Sequence, residues 1–260
     1  MPRLTARCRR ARRAAMMGGM EQPRTVLVLG ARNLGGAILD HLLAQGWKGA
    51  AVARSDDTLA AVRDRGALAI AADASNPADL EQAIARTRAE HGSIDLIVNA
   101  VTASRAPQGG PWGGGPIAEG TMDAVRGWTV AVAEQAFAFL STGARALLDG
   151  GGGTLVQITG GSSRRAMPGR GPWAAGAFAA RALTQAAAQE LRGQGVHVAL
   201  LIVDATIESP KTADRTASAP PDSLGDMALI AQAVQFLAEQ QPRAYTHELM
   251  VTPAGETWVP

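Results

Sequence analysis

Gly30-Ala31-Arg32-Asn33-Leu34-Gly35 directly follows the apolar, β-branched run Thr25–Leu29 and opens an amphipathic stretch. The spacing is G-x-G-x-x-G with Arg32 at the middle position. Gly30 permits a sharp turn and Gly35 lets a helix pack closely on the strand. The free N–H groups of that helix start, around Asn33 and Leu34, can hold a pyrophosphate through their partial positive charge. Losing the middle glycine removes the closest approach of phosphate to bare backbone, and Arg32 can compensate with charge.

Two further groups follow at the ends of apolar runs. Ala53-Arg54-Ser55 ends the second run, where an acid would be expected to accept from a ribose 2′-OH. Arg54 instead suits a 2′-phosphate, with Asp56 and Asp57 lying beyond on the helix cap. The alternative for Arg54 is a solvated surface charge. Asp73-Ala74 follows the third run and Asn99-Ala100-Val101 the fourth. Asp73 could accept from an adenine amino group, and Asn99 could tie the central crevice together. Together these positions describe an adenosine dinucleotide site that favours NADP(H) over NAD(H).

The elements that must place these residues alternate strictly. Strands are expected at Thr25–Leu29, Ala50–Ala53, Ala67–Ala71, Ile94–Asn99, Thr154–Ile158, Val196–Val203 and Glu248–Val251. Helices are expected near 35–45, 57–65 (capped by Asp56), 76–91, 122–148, 173–191 and 224–239. Gly- and Pro-rich stretches at 102–120 and 160–171 read as loops over the sheet edge, the first of them mobile. This is a single α/β domain over residues 21–260: a Rossmann-type, doubly wound parallel sheet of about seven strands.

Composition narrows the function classes. The 260-residue chain is 47% hydrophobic, enough for one sizeable core. Its net charge of +2 is set by residues 1–20, which hold six arginines and no acid; the rest carries 19 basic against 23 acidic residues. The basic balance therefore gives no reason to expect nucleic-acid binding. The first twenty residues read as a disordered extension, with a targeting peptide as the alternative. One cysteine, Cys8, excludes a disulfide framework or cysteine metal cluster and fits a reducing, cytoplasmic setting. No apolar run is long enough to span a membrane, and no metal site is expected.

The segments LVLGARNLGGAI (27–38), AVARS (51–55), DLIVNA (95–100), GGTLVQITG (152–160) and GPWAAGAFAARAL (171–183) resemble the short-chain dehydrogenase/reductase family, over essentially residues 24–255. The resemblance implies NAD(P)-dependent interconversion of alcohols and carbonyls by dimers or tetramers. It also implies a cofactor contact at Ile207, in the stretch Asp204-Ala205-Thr206-Ile207 where most relatives carry Pro-Gly.

The family's catalytic positions are not kept. Its serine falls on Gly160, its tyrosine on Trp173 and its lysine on Ala177, and its helix asparagine aligns near Gln135. An indole N–H does not titrate usefully, and a methyl group cannot hold a ribose. A subgroup with Asp after strand six and phenylalanine for the tyrosine looks similar, although it keeps the lysine. Among nearby hydroxyls, Thr159 and Ser162 are the catalytic candidates, with Ser163, Arg164 and Arg165 beside them. Asp204 is a possible replacement acid, but it is read first as shaping the loop around the cofactor. Tyr245 and the histidines 41, 91, 197 and 247 fall away from the site.

Three functions fit: an NADP-dependent oxidoreductase with a non-standard site, a non-catalytic nucleotide-binding regulator or assembly partner, and a lyase or isomerase on the same fold. Trp112 and Trp173 are expected to line an apolar substrate pocket for a small molecule. The Ala-rich helix 173–191, with nine alanines between 174 and 191, has little bulk on any face and invites packing against a second copy.

Overall fold

The computed structural model describes residues 22–101, 110–210 and 212–256. The basic N-terminal stretch with Cys8 and the first half of the expected 102–120 loop lie outside them.

Seven strands form one parallel sheet: β1 (Thr25–Leu29), β2 (Lys48–Ala53), β3 (Leu68–Ala71), β4 (Leu96–Asn99), β5 (Gly153–Gly160), β6 (Val196–Val203) and β9 (Glu248–Val251). Their spatial order is β3-β2-β1-β4-β5-β6-β9. Chain order reverses direction between β1 and β4, which leaves a crevice at their carboxyl ends, the usual ligand position in open α/β sheets.

Helices cover both faces. The first, α1 (Leu34–Ala44), and the last, α7 (Met227–Glu239), pack with Val26, Val28, Val98, Val156 and Leu201 on one side. On the other side α3 (Pro77–His91), α5 (Ala131–Asp149) and α6 (Gly171–Leu191) pack with Leu27, Leu29, Ile97, Leu155 and Val198. Adjacent residues of a strand thus enter opposite cores, and burial on both faces explains why the strands read as continuous apolar runs.

Local signals explain most boundaries. Asn76 accepts from the Ala78 N–H at 2.9 Å and Pro77 opens α3. The helix stops at Gly92, in the left-handed region at φ +85°. Elsewhere the structure corrects the expectation. Ser55, not Asp56, holds the cap position of α2 (Asp56–Asp64), and Asp56 is its first residue. The final long helix begins three residues later than expected, because the Asp226 carboxylate accepts from Ala228 and Leu229 N–H and fixes its start there. Leu224–Gly225 (β8) instead pairs with Thr206–Ile207 (β7) in a small parallel ribbon above the sheet edge. The expected helix 122–148 is interrupted: α4 (Met122–Val125) runs into a π turn, Arg126–Val130, before α5.

Candidate functional site

The turn after β1 is shaped by two glycines. Gly30 sits at φ +86°, and a Cβ there would meet Val101 Cγ2 at 3.0 Å. Gly35 faces the Gly30 carbonyl so closely that a side chain at 35 would collide with it. Helix α1 therefore starts directly above the strand end. Its cap residue, Asn33, makes no side-chain cap bond, and no acid lies in the first turn. Leu34 is half-buried against the core below, and Arg32 is exposed beside the turn. The helix start is thus electropositive, with its backbone donors unclaimed by a capping side chain.

Arg54 and Asp73, at the carboxyl ends of β2 and β3, face each other: Arg54 Nη1 lies 3.7 Å from Asp73 Oδ2. The Arg54 side chain remains 69% exposed. Asp73 Oδ1 accepts from the Ser75 N–H at 2.9 Å and its hydroxyl at 2.6 Å. Sequence reasoning treated Arg54 and Asp73 separately; the structure makes them neighbours. The Ser55 hydroxyl is shared with Thr58 Oγ1 at 2.8 Å, and Ala74 is buried under the turn.

Asn99 is fully buried at the end of β4 and forms the central polar knot. Its Nδ2 donates to Gln135 Oε1 (3.0 Å) and Gln157 Oε1 (2.8 Å). Gln135 Nε2 donates back to Asn99 Oδ1 at 3.0 Å and reaches the Ala74 carbonyl at 3.5 Å. Val101 N–H donates to Asn99 Oδ1 at 3.3 Å, so the knot also fixes the Ala100-Val101 backbone beside Gly30. The β4 end, α5, β5 and the loop after β3 are joined through these three amides.

At the end of β5, Thr159 and Ser162 are half-buried, while Ser163 is fully buried and donates to the Gly160 carbonyl at 2.9 Å. Gly160 pairs in register with Val203 of β6. The next β6-side residue, Asp204, lies against the Cα of Gly161 and 3.5 Å from Arg165 Nη2. Its Oδ2 is buried with no hydrogen-bond partner. Burial raises the Asp204 carboxyl above its ordinary range, opposed by Arg165 and reinforced by Glu256. Ile207 lies in β7, half-buried, with its carbonyl accepting from Thr212 Oγ1 at 2.6 Å.

Trp173 stands in the first turn of α6 and packs with two other indoles. Ring centroids are 5.6 Å apart for Trp112–Trp173 and for Trp112–Trp128, and 5.5 Å for Trp128–Trp173. Trp128, in the π turn, is the member that sequence reasoning missed: an apolar residue inside a long helical pattern reads as ordinary core. It is 3% exposed and its Nε1 has no acceptor. The Arg170 guanidinium lies 4.7 Å from the Trp112 ring centroid. The backbone closes this corner: Thr129 Oγ1 donates to the Pro172 carbonyl, and a Cβ on Gly176 would run into the Trp128 carbonyl. Ala177 is buried beneath.

The histidines and Tyr245 lie elsewhere. His197, at the start of β6, stacks on Tyr245 at 4.2 Å, and its two ring nitrogens face the Leu237 and Thr246 carbonyls. His41 faces Gln235, and His91 faces the Gly49 carbonyl. No helix among the described residues is long and apolar enough to cross a membrane.

A family model for short chain dehydrogenase matches residues 24–217. A 2-(R)-hydroxypropyl-CoM dehydrogenase from Xanthobacter autotrophicus is 29% identical over 238 residues, covering 83% of this chain and 91% of that protein. Among solved structures, a short-chain dehydrogenase from Rhodopseudomonas palustris superposes with a TM-score of 0.69 at 25% identity, covering 88% of this chain and 98% of the other. A short-chain type dehydrogenase/reductase from Mycobacterium ulcerans gives a TM-score of 0.76 at 24% identity, covering 88% of each chain.

Proposed function

The chain belongs to the short-chain dehydrogenase family, and from that premise we propose that it is an NADP(H)-dependent oxidoreductase of a small secondary alcohol or ketone. We further propose that its active site works without the family's tyrosine and lysine. The observation that carries the reading is the turn after β1. Gly30 at positive φ, Gly35 against its carbonyl and an α1 start free of capping side chain and acid form a cradle that fits a pyrophosphate.

When bound, the nicotinamide ring supplies the hydride donor or acceptor. The chain's own residues do the rest. Backbone N–H groups of Asn33, Leu34 and Gly35 hold the pyrophosphate, with Arg32 adding charge. Arg54, largely exposed and only loosely paired with Asp73, is the cation available to a 2′-phosphate, which supports NADP(H) over NAD(H). Ser55, Asp73 and Ala74 border the adenosine, while Asn99, Ala100, Val101 and Ile207 border the ribose and nicotinamide side. Thr159 and Ser162 orient the substrate oxygen. Trp112 and Trp173 offer an apolar wall, and the secondary-alcohol class is supported by the hydroxypropyl group in the Xanthobacter relative's name.

Calorimetric titration with NADPH, NADP, NADH and NAD tests the cofactor, followed by turnover with ketone probes. Binding of NADPH tighter than NADH, with measurable oxidation of NADPH by a ketone, is expected. Absence of heat with all four cofactors overturns the reading.

A further inference from the structure

Two carboxylates near the carboxyl-side loops are treated in opposite ways by their surroundings. Glu248 receives Arg181 through two bonds of 2.8 and 2.9 Å and Gln185 through a third of 2.6 Å. Those donors, Arg181 foremost, hold its carboxyl below the ordinary value. Asp204 has the reverse environment. Its side chain is 13% exposed, it rests against the bare Cα of Gly161, and Oδ2 lacks any hydrogen-bond donor. Arg165 stands at 3.5 Å, near enough for charge but not for a hydrogen bond. A carboxylate that only braces a loop gains by accepting bonds on both oxygens, as Glu248 does. Leaving one oxygen buried and unserved favours a proton on it.

The location fits chemistry. Asp204 is one residue beyond Val203, which pairs with Gly160, the position where the family's serine falls. Thr159 and Ser162 flank the same glycines. Gly161 has no side chain to separate them from Asp204, and any Cβ there would displace the carboxyl.

We propose that Asp204 is the catalytic carboxyl that exchanges the reaction's proton in this chain, in place of the tyrosine whose position is Trp173. The proposal rests on the oxidoreductase reading above. In the reducing direction the carbonyl carbon takes a hydride from the reduced nicotinamide, which is oxidised. The C=O π bond breaks, and its electron pair takes the proton released as the Asp204 O–H bond breaks. Arg165 faces the carboxylate that results, and solvent returns a proton to it. In the oxidising direction the Asp204 carboxylate accepts the alcohol proton.

Asp204→Asn tests this in three measurements on the full chain: NADPH binding by calorimetry, NADPH oxidation with diacetyl and phenanthrenequinone as carbonyl probes across pH, and thermal unfolding of the cofactor-free protein across pH. The variant should bind NADPH like wild type and lose turnover by about 10²–10⁴-fold. Because burial favours the protonated acid, wild-type stability should fall as pH rises above the ordinary aspartate range; this slope should vanish in the variant. Gly161→Ala, which pushes the carboxyl aside, should lose turnover as well. Unchanged turnover and pH profile in Asp204→Asn, or a variant less stable than wild type at every pH, overturns the proposal in favour of a structural brace. Wild type that binds no cofactor, or reduces neither probe, overturns the oxidoreductase reading itself and the proposal with it.

Discussion

The side-chain amides of Asn99 and Gln135 bond each other in both directions, at 3.0 Å each way, although 36 positions separate them. The pair lies wholly inside the protein, where an amide without partners is expensive. It joins the end of β4 to the second turn of α5, and with Gln157 it fixes the backbone at the end of β4.

Gln135→Ala should therefore destabilise the fold by about 1–3 kcal/mol, since Asn99 Oδ1 loses one of its two donors, Asn99 Nδ2 loses an acceptor and the Ala74 carbonyl loses the Gln135 amide. Urea unfolding monitored by circular dichroism reads this as a lower midpoint at unchanged slope. A midpoint equal to wild type would mean that water replaces the amide at no loss.

Arg54→Glu should reverse cofactor choice. Exchanging a guanidinium for a carboxylate removes a charge-assisted contact of about 1.5–3 kcal/mol and adds repulsion, so the NADPH-to-NADH affinity ratio should drop at least roughly tenfold. Asp73→Asn, by removing the charge 3.7 Å from Arg54, should move the ratio the other way. Equal ratios in all three proteins would return Arg54 to the solvated surface.

Glu248 predicts an acid-sensitive tie between α6 and β9. Its folded carboxyl is lowered, chiefly by the Arg181 hydrogen bonds. That stability is present above the unfolded glutamate value and is lost as pH falls through the folded one. Arg181→Ala should lower stability by about 1–3 kcal/mol at neutral pH, and the gap from wild type should close on acidification. A gap independent of pH would assign the loss to packing of the arginine stem.

Phe178 of α6 and Phe137 of α5 are 41% and 60% exposed, large apolar rings on adjacent helices. Association through this surface is expected, and light scattering should give a dimer or tetramer mass for wild type. Phe178→Glu should shift it toward the monomer. A monomer for wild type at micromolar concentration would remove the idea.

Much of the architecture was legible in the residues. Strands β1, β6 and β9 have the bounds their apolar runs suggest, and Asn76-Pro77 marks the start of α3, because these signals act within a few residues of where they are written. What stayed hidden depends on distant partners or on register. The ribbon of Thr206–Ile207 with Leu224–Gly225 involves two-residue strands that carry no periodicity. The π turn adds one residue to a turn without changing residue type, so a 3.6-residue pattern passes over it. The Arg54–Asp73 and Asp204–Gly161 meetings are made by parallel strands brought side by side, and nothing in either local sequence announces the other. Helix α1 could be placed from its glycines, but the closeness of Gly35 to the Gly30 carbonyl is a property of the folded turn.

The three indoles at 5.5–5.6 Å have a spectroscopic consequence. Transition dipoles that near, and mutually tilted, mix into shared excited states and give rotational strength that an isolated tryptophan lacks. Since Trp112 is the exposed member, anything that lifts or covers its ring alters the coupling of all three. The chain thus carries its own optical gauge at the start of α6, readable without a label.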